Sequence, residues 1–172
     1  RTKEECYGKN HELLERIFPE RFSVDEKDRM SIEKEQQYQR EFAPHLKLLN
    51  GLSEVLEKYH QLGVKMAIGS AAITFNIDFV LDGLSIRHYF DAIVSADDVA
   101  HSKPDPETYL KCAALLDLPP SECLVFEDAP KGVDAALNAG MDCAVLTTMH
   151  EQAEFSQPNI ISFQNDYLGI SL

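Results

Sequence analysis

The side chains best placed to do chemistry are a serine, a lysine and an acidic pair, each beside the end of a short apolar run. Ser70 follows Val64-Lys65-Met66-Ala67-Ile68-Gly69, and Glu127-Asp128 follow Cys123-Leu124-Val125-Phe126. Lys103 lies in His101-Ser102-Lys103-Pro104-Asp105-Pro106-Glu107, a loop stiffened by two prolines. Two carboxylates on a short loop suit a hard cation such as Mg²⁺. A hydroxyl and free amides at the mouth of a helix suit a phosphate oxygen, and an ammonium neutralises the charge both would gather. Each residue also has a plainer use. Asp128 and Ser70 are good helix caps, and a loop lysine is commonly solvated.

The elements that must position these groups follow a regular rhythm. After about residue 62, short apolar runs alternate with helical periodicity. Strands are predicted at 64–69, 92–95, 123–127, 143–146 and, weakly, 160–163, with helices at about 75–84, 106–116 and 131–139. The last residues are read as a final edge strand and tail. Pro130 suits the first position of its helix, because the amide it lacks would have no partner there. Strands and helices in alternation imply a parallel sheet with helices on both faces, an α/β Rossmann-like core over residues 49–172. Residues 1–48 contain no convincing strand and read as a small all-helical domain. Within it, Ser23-Val24-Asp25-Glu26 resembles a capping box that opens a long charged helix reaching about Phe42.

Composition removes several classes of function. The 172 residues carry 16 Lys+Arg against 29 Asp+Glu, a net charge of −13, which opposes nucleic-acid binding. No apolar run approaches the roughly 20 residues that span a bilayer, and no signal-peptide pattern is visible, so a cytoplasmic protein is expected. The four cysteines form no C-x-x-C pair, and they share no zinc-like spacing with the six histidines. A reducing compartment and a monomer are expected.

Taken together, Ile68-Gly69-Ser70, Ser102-Lys103-Pro104-Asp105-Pro106 and Phe126-Glu127-Asp128 with Gly132 resemble the haloacid dehalogenase superfamily. Within it the chain is similar to the β-phosphoglucomutase-like phosphatases with a helical cap. The resemblance implies Mg²⁺-dependent hydrolysis of a small phosphorylated metabolite, such as a sugar phosphate, through an aspartyl-phosphate. It implies that Ser70, Ala71 and Lys103 bind the phosphoryl group, that Asp128 ligates the metal, and that Glu127 is a ligand or acts through water. Lys9, Asn10 and His11 would touch the leaving group from the cap, with Arg40 a weaker candidate. Ala72 and Thr74 stand where the mutase subgroup has polar residues, and His11 where it has an arginine, which favours hydrolysis over mutase chemistry.

One departure is large. The family's nucleophile lies in an Asp-x-Asp motif on a first, central strand, and these residues contain no such motif. The resemblance therefore implies a longer chain, in which the missing strand lies between the strands at 64–69 and 123–127. A direct ladder between those two would refute this. A phosphosugar mutase and a non-catalytic binding module remain as alternative readings.

Overall fold

The computed structural model describes residues 10–170, with side chains from Leu13 onward. The chain divides between Leu46 and Lys47 into two compact units. The first holds α1 (Asn10–Ile17), α2 (Val24–Phe42) and a short turn at Ala43–His45. Ser23 caps α2 as the sequence predicts. Its hydroxyl accepts from Glu26 N at 3.3 Å, while the Glu26 carboxylate accepts from Ser23 N at 2.9 Å. Lys27 Nζ donates to Glu15 at 2.5 Å and ties the two helices together. The predicted cap residue Lys9 lies outside the described residues; Asn10 and His11 open α1.

The second unit alternates helix and strand: α3 (Leu52–Gln61), β1 (Ala67–Gly69), α4 (Thr74–Gly83), β2 (Ala92–Val94), α5 (Glu107–Leu116), β3 (Leu124–Glu127), α6 (Pro130–Asn138), β4 (Asp142–Leu146) and β5 (Ile160–Gln164). Every strand pairing is parallel. The first strand is shorter than the sequence predicts. Val64 and Lys65 are exposed, and the Lys65 ammonium pairs with Asp91 at 2.6 Å instead of entering a ladder.

The strands form two sheets, β1-β2 and β3-β4-β5. Among the described residues no ladder joins β1 to β3. Each is paired on one side only, as expected of strands that flank an intervening one. Burial agrees: β1 is half-buried along its length, whereas Cys143 to Leu146 of β4, paired on both sides, are buried throughout.

Helices cover both faces of the β1-β2 sheet because its side chains alternate. Ile68 and Ile93 pack with Leu56, Ile77 and Leu81 of α3 and α4, and Ala67 and Val94 pack on Cys112 of α5. Val125, Cys143 and Val145 of the other sheet pack with Val133 and Ala136 of α6 and with Tyr109 and Ala113 of α5. Helix α5 thus serves both cores. Fully burying one large aliphatic side chain is worth about 1.5–3 kcal/mol, so two such clusters are ample to fix α5 against both sheets.

Among the described residues the expected final edge strand does not form. Residues 165–170 are turns, and the ring of Tyr167 packs on Phe126 with centroids 5.4 Å apart. Tyr167 N donates to Asn50 O at 2.9 Å. This approach requires Gly51, whose φ is +77° and where a Cβ would lie 2.6 Å from the Tyr167 carbonyl carbon.

Because β1 has one partner and β4 has two, hydrogen exchange on the 172-residue chain should release the amides of β1 well before those of β4. Equal protection across β1 and β4 would contradict the separation of the sheets.

Candidate active site

The ammonium of Lys103 is the meeting point of the two sheets. It donates to Gly69 O, the last residue of β1, at 3.1 Å, and to Glu127 Oε1, the last residue of β3, at 2.6 Å. Its third contact is the hydroxyl of Tyr109 in the first turn of α5, at 2.8 Å, with the Tyr109 ring centroid 4.5 Å away. An ammonium has three donors, and here all three have acceptors.

The loop that delivers Lys103 is fixed by the start of α5. Glu107 Oε2 accepts from Ala100 N at 2.9 Å and from His101 N at 3.0 Å. Glu107 Oε1 pairs with Lys111, one turn along the helix. The bond from Lys111, followed by those from His101 and Ala100, lowers the Glu107 carboxyl to about 2. Asp105 caps from just outside the helix, its Oδ1 accepting from Glu107 N at 2.9 Å. His101, Asp105 and Glu107 have ligand atoms close enough to share a cation. The amides and Lys111 that already occupy the two carboxylates account for that cluster.

Glu127 has no lone pair aimed outward. Oε1 also accepts from Tyr109 Oη at 2.7 Å, and Oε2 accepts from Asp128 N at 2.9 Å and Ala129 N at 3.1 Å. Burial by itself would raise this carboxyl. The Lys103 charge and the bonds from Lys103, Tyr109 and Ala129 outweigh burial and hold it below the usual carboxylate range. Gly132 in the first turn of α6 makes the space. A Cβ there would sit 2.0 Å from the Glu127 carboxyl carbon.

Asp128 does not cap α6. The cap position is Ala129, without a side-chain bond, and Pro130 is the first helical residue. Its Oδ2 accepts instead from Thr148 Oγ1 at 2.8 Å, leaving the other oxygen for a further contact. Tyr167 lies in the turns after β5, near enough to feel the Asp128 charge. Burial, followed by the Asp128 charge, raises its phenol to about 12.

Ser70 does not cap α4 either, since that helix starts four residues later behind Ile73. Its hydroxyl oxygen accepts from Ala72 N at 3.0 Å, which curls the loop and leaves the hydroxyl proton uncommitted. Ala71, between them, is exposed, and its amide donates to no acceptor among the described residues. The start of α4 is served from the neighbouring loop, where Asp97 Oδ2 accepts from Thr74 N at 2.9 Å and from its hydroxyl at 3.0 Å.

The structure therefore brings Ser70, Ala71, Lys103, Glu127 and Asp128 to adjoining strand ends. A hard cation fits the donor set. Asp128 offers carboxylate oxygen directly, whereas the four bonds to Glu127 make it a holder of Lys103 before it is a ligand. Tyr109 and Thr148 were missed by the sequence reading. For Tyr109 a signal existed, a hydroxyl on a helix face otherwise buried; for Thr148 there was none. Burial raises the Cys112 thiol to about 11 and the Cys143 thiol to about 12, so neither supplies a thiolate near neutrality.

Comparison with known proteins shows the family. The family model for haloacid dehalogenase-like hydrolases matches residues 2–146. The chain belongs to that family. It is 44% identical over 91 residues to a fructose-1-phosphate phosphatase of Escherichia coli, covering 53% of this chain and 48% of that protein. It is 36% identical over 103 residues to a phosphorylated carbohydrates phosphatase of Thermotoga maritima, covering 60% and 48%. Among solved structures, β-phosphoglucomutase of Clostridium difficile superposes with a TM-score of 0.77 at 28% identity, over 92% of this chain and 71% of that one. The chain spans about half the length of the curated relatives it matches.

A methyl at Gly132 must displace a carboxylate held by four donors. Gly132→Ala should cost about 1–3 kcal/mol in denaturant unfolding. In a Glu127→Ala background the same change should cost far less. Equal costs in both backgrounds would show that the carboxylate does not occupy that space.

Proposed function

We propose that the protein to which this chain belongs is a phosphoric monoester hydrolase acting on a small phosphorylated metabolite, a sugar phosphate in the first instance. One observation carries the reading: an ammonium, a hydroxyl with a free amide, and an exposed-side carboxylate converge where β1 and β3 end. That arrangement suits a dianionic phosphoryl group beside a divalent cation. The phosphatases among the relatives, each acting on its own named substrate, support it.

In this reading the Ser70 hydroxyl and the Ala71 amide each donate to a phosphoryl oxygen. Lys103 reaches another oxygen by exchanging Gly69 O, the longest of its three contacts, while Glu127 and Tyr109 keep hold of it. As charge spreads over the equatorial oxygens, this fixed ammonium stabilises it more than mobile solvent would. Asp128, oriented by Thr148, holds Mg²⁺, which supplies further charge neutralisation when bound. The nucleophile is an aspartate outside these 172 residues: its carboxylate oxygen bonds to phosphorus as the P–O bond to the substrate alcohol breaks. A second aspartate outside these residues protonates that alcohol as it leaves, and the same aspartate then takes a proton from the water that hydrolyses the aspartyl-phosphate. The resemblance assigns residues 1–48 to the family's helical cap and residues 49–172 to its core, and makes Lys9, Asn10 and His11 the candidates for substrate specificity. The protein works as a cytoplasmic monomer. Among the described residues no helix is long and apolar enough to cross a membrane.

The test is phosphate release by the full protein from p-nitrophenyl phosphate and a panel of sugar phosphates, with and without Mg²⁺. Activity should require the metal. Asp128→Ala should abolish it, and Lys103→Ala should lower kcat by about 10²–10³-fold. Isomerised sugar phosphate in place of free phosphate would mean mutase chemistry. Unchanged turnover in Asp128→Ala would remove the metal assignment.

A further inference from the structure

We infer that Tyr109 is a positioning residue: its hydroxyl clamps Lys103 and Glu127 into one rigid unit, so that the ammonium is aimed before substrate arrives. The inference concerns this chain's own side chains. Its kinetic consequence rests on the phosphatase reading above.

The hydroxyl sits between the two charges and serves both. Lys103 Nζ donates to its oxygen at 2.8 Å, and its proton goes to Glu127 Oε1 at 2.7 Å, the same oxygen that accepts from Lys103 at 2.6 Å. The three groups close a small ring in which each fixes the angle between the other two. An ion pair without the third member keeps its attraction but can pivot about a single N···O contact. The phenol removes that freedom. Side-chain exposure of 12% for Lys103 and 10% for Glu127 leaves little water to fill its place.

The phenol is itself well held. Tyr109 is 6% exposed and lies in the first turn of α5, the helix shared by both cores. A Cβ at Gly69 would lie 3.2 Å from Tyr109 Cδ1 and 3.1 Å from Thr108 Cγ2, so the β1 backbone rests directly on this part of α5. The aim of Lys103 is thereby referred to both sheets. A residue needed only to fill volume would be served equally well by phenylalanine. The hydroxyl, with two partners in a space that admits little water, is what needs explaining.

Tyr109→Phe keeps the ring, its packing and its contact with the ammonium, and deletes only the oxygen. Two measurements on it decide the matter. The first is NMR of the 172-residue chain, which needs no turnover. The two Cε protons of Lys103 should resonate apart in the parent protein, because the ammonium is held in one rotamer, and should merge in Tyr109→Phe. The melting temperature should fall by only a few degrees. Merged signals in the parent, or separated signals in the variant, would overturn the inference. The second is steady-state hydrolysis of p-nitrophenyl phosphate by the full protein. There Tyr109→Phe should lower kcat about five- to tenfold, the worth of roughly one hydrogen bond, with KM nearly unchanged. A parent enzyme that turns over while the variant matches it in kcat would also overturn it. A parent with no turnover would count against the phosphatase reading instead, with the NMR result still deciding the role of Tyr109.

Discussion

The second unit depends on one largely buried ion pair. Lys103, on a loop, and Glu127, the last residue of β3, are 24 residues apart in sequence, meet at 2.6 Å and are largely withdrawn from solvent. A pair of this kind is a costly way to stabilise a fold, since removing two charges from water takes back much of what their attraction returns. Its value lies in geometry. Every remaining polar valence is satisfied by the backbone of β1, the start of α6 and the hydroxyl of Tyr109. The pair therefore reports the positions of both sheets to a single point, and the residues beside it, Ser70 and Asp128, inherit that precision.

The surroundings are arranged to keep the pair where it is. Gly132 yields the space that a side chain would take from Glu127, and Glu107 gathers the amides ahead of Lys103 so that its loop cannot drift. Helix α5 packs against both sheets, joining two strands that share no ladder among the described residues. The half-buried character of β1 beside the fully buried stretch of β4 is the other side of this arrangement. The two sheets are joined through the packing of α5 and through the contacts that Lys103 makes to Gly69 O and Glu127.

Much of this was legible in the sequence because it is local. Apolar runs cut by Gly and Pro located the strands, and the capping box at Ser23 and Pro130 at the head of α6 were found from neighbours in the chain. The convergence of Ser70, Lys103 and Glu127-Asp128 was legible only as a combination, since each residue alone suits a helix cap or a solvated loop. What escaped was settled by distant contacts. Thr148 reaches Asp128 across 20 residues, and the tail folds Tyr167 onto Phe126 where an edge strand was expected. The plainer roles for Ser70 and Asp128 failed for a local reason: α4 begins too late for Ser70 to cap it, and α6 opens with proline behind Ala129.

The account stands on the coupling between Lys103 and Glu127, and a double-mutant cycle measures it most directly. Denaturant unfolding of the 172-residue chain, of Lys103→Met, of Glu127→Leu and of the double variant would be compared. Each single change strands a buried charge and should cost about 3–5 kcal/mol, while the double variant should recover much of that, giving a coupling of about 3 kcal/mol. Single costs that add to within about 0.5 kcal/mol would show that the two charges do not hold each other, and the structural basis of the site would be lost.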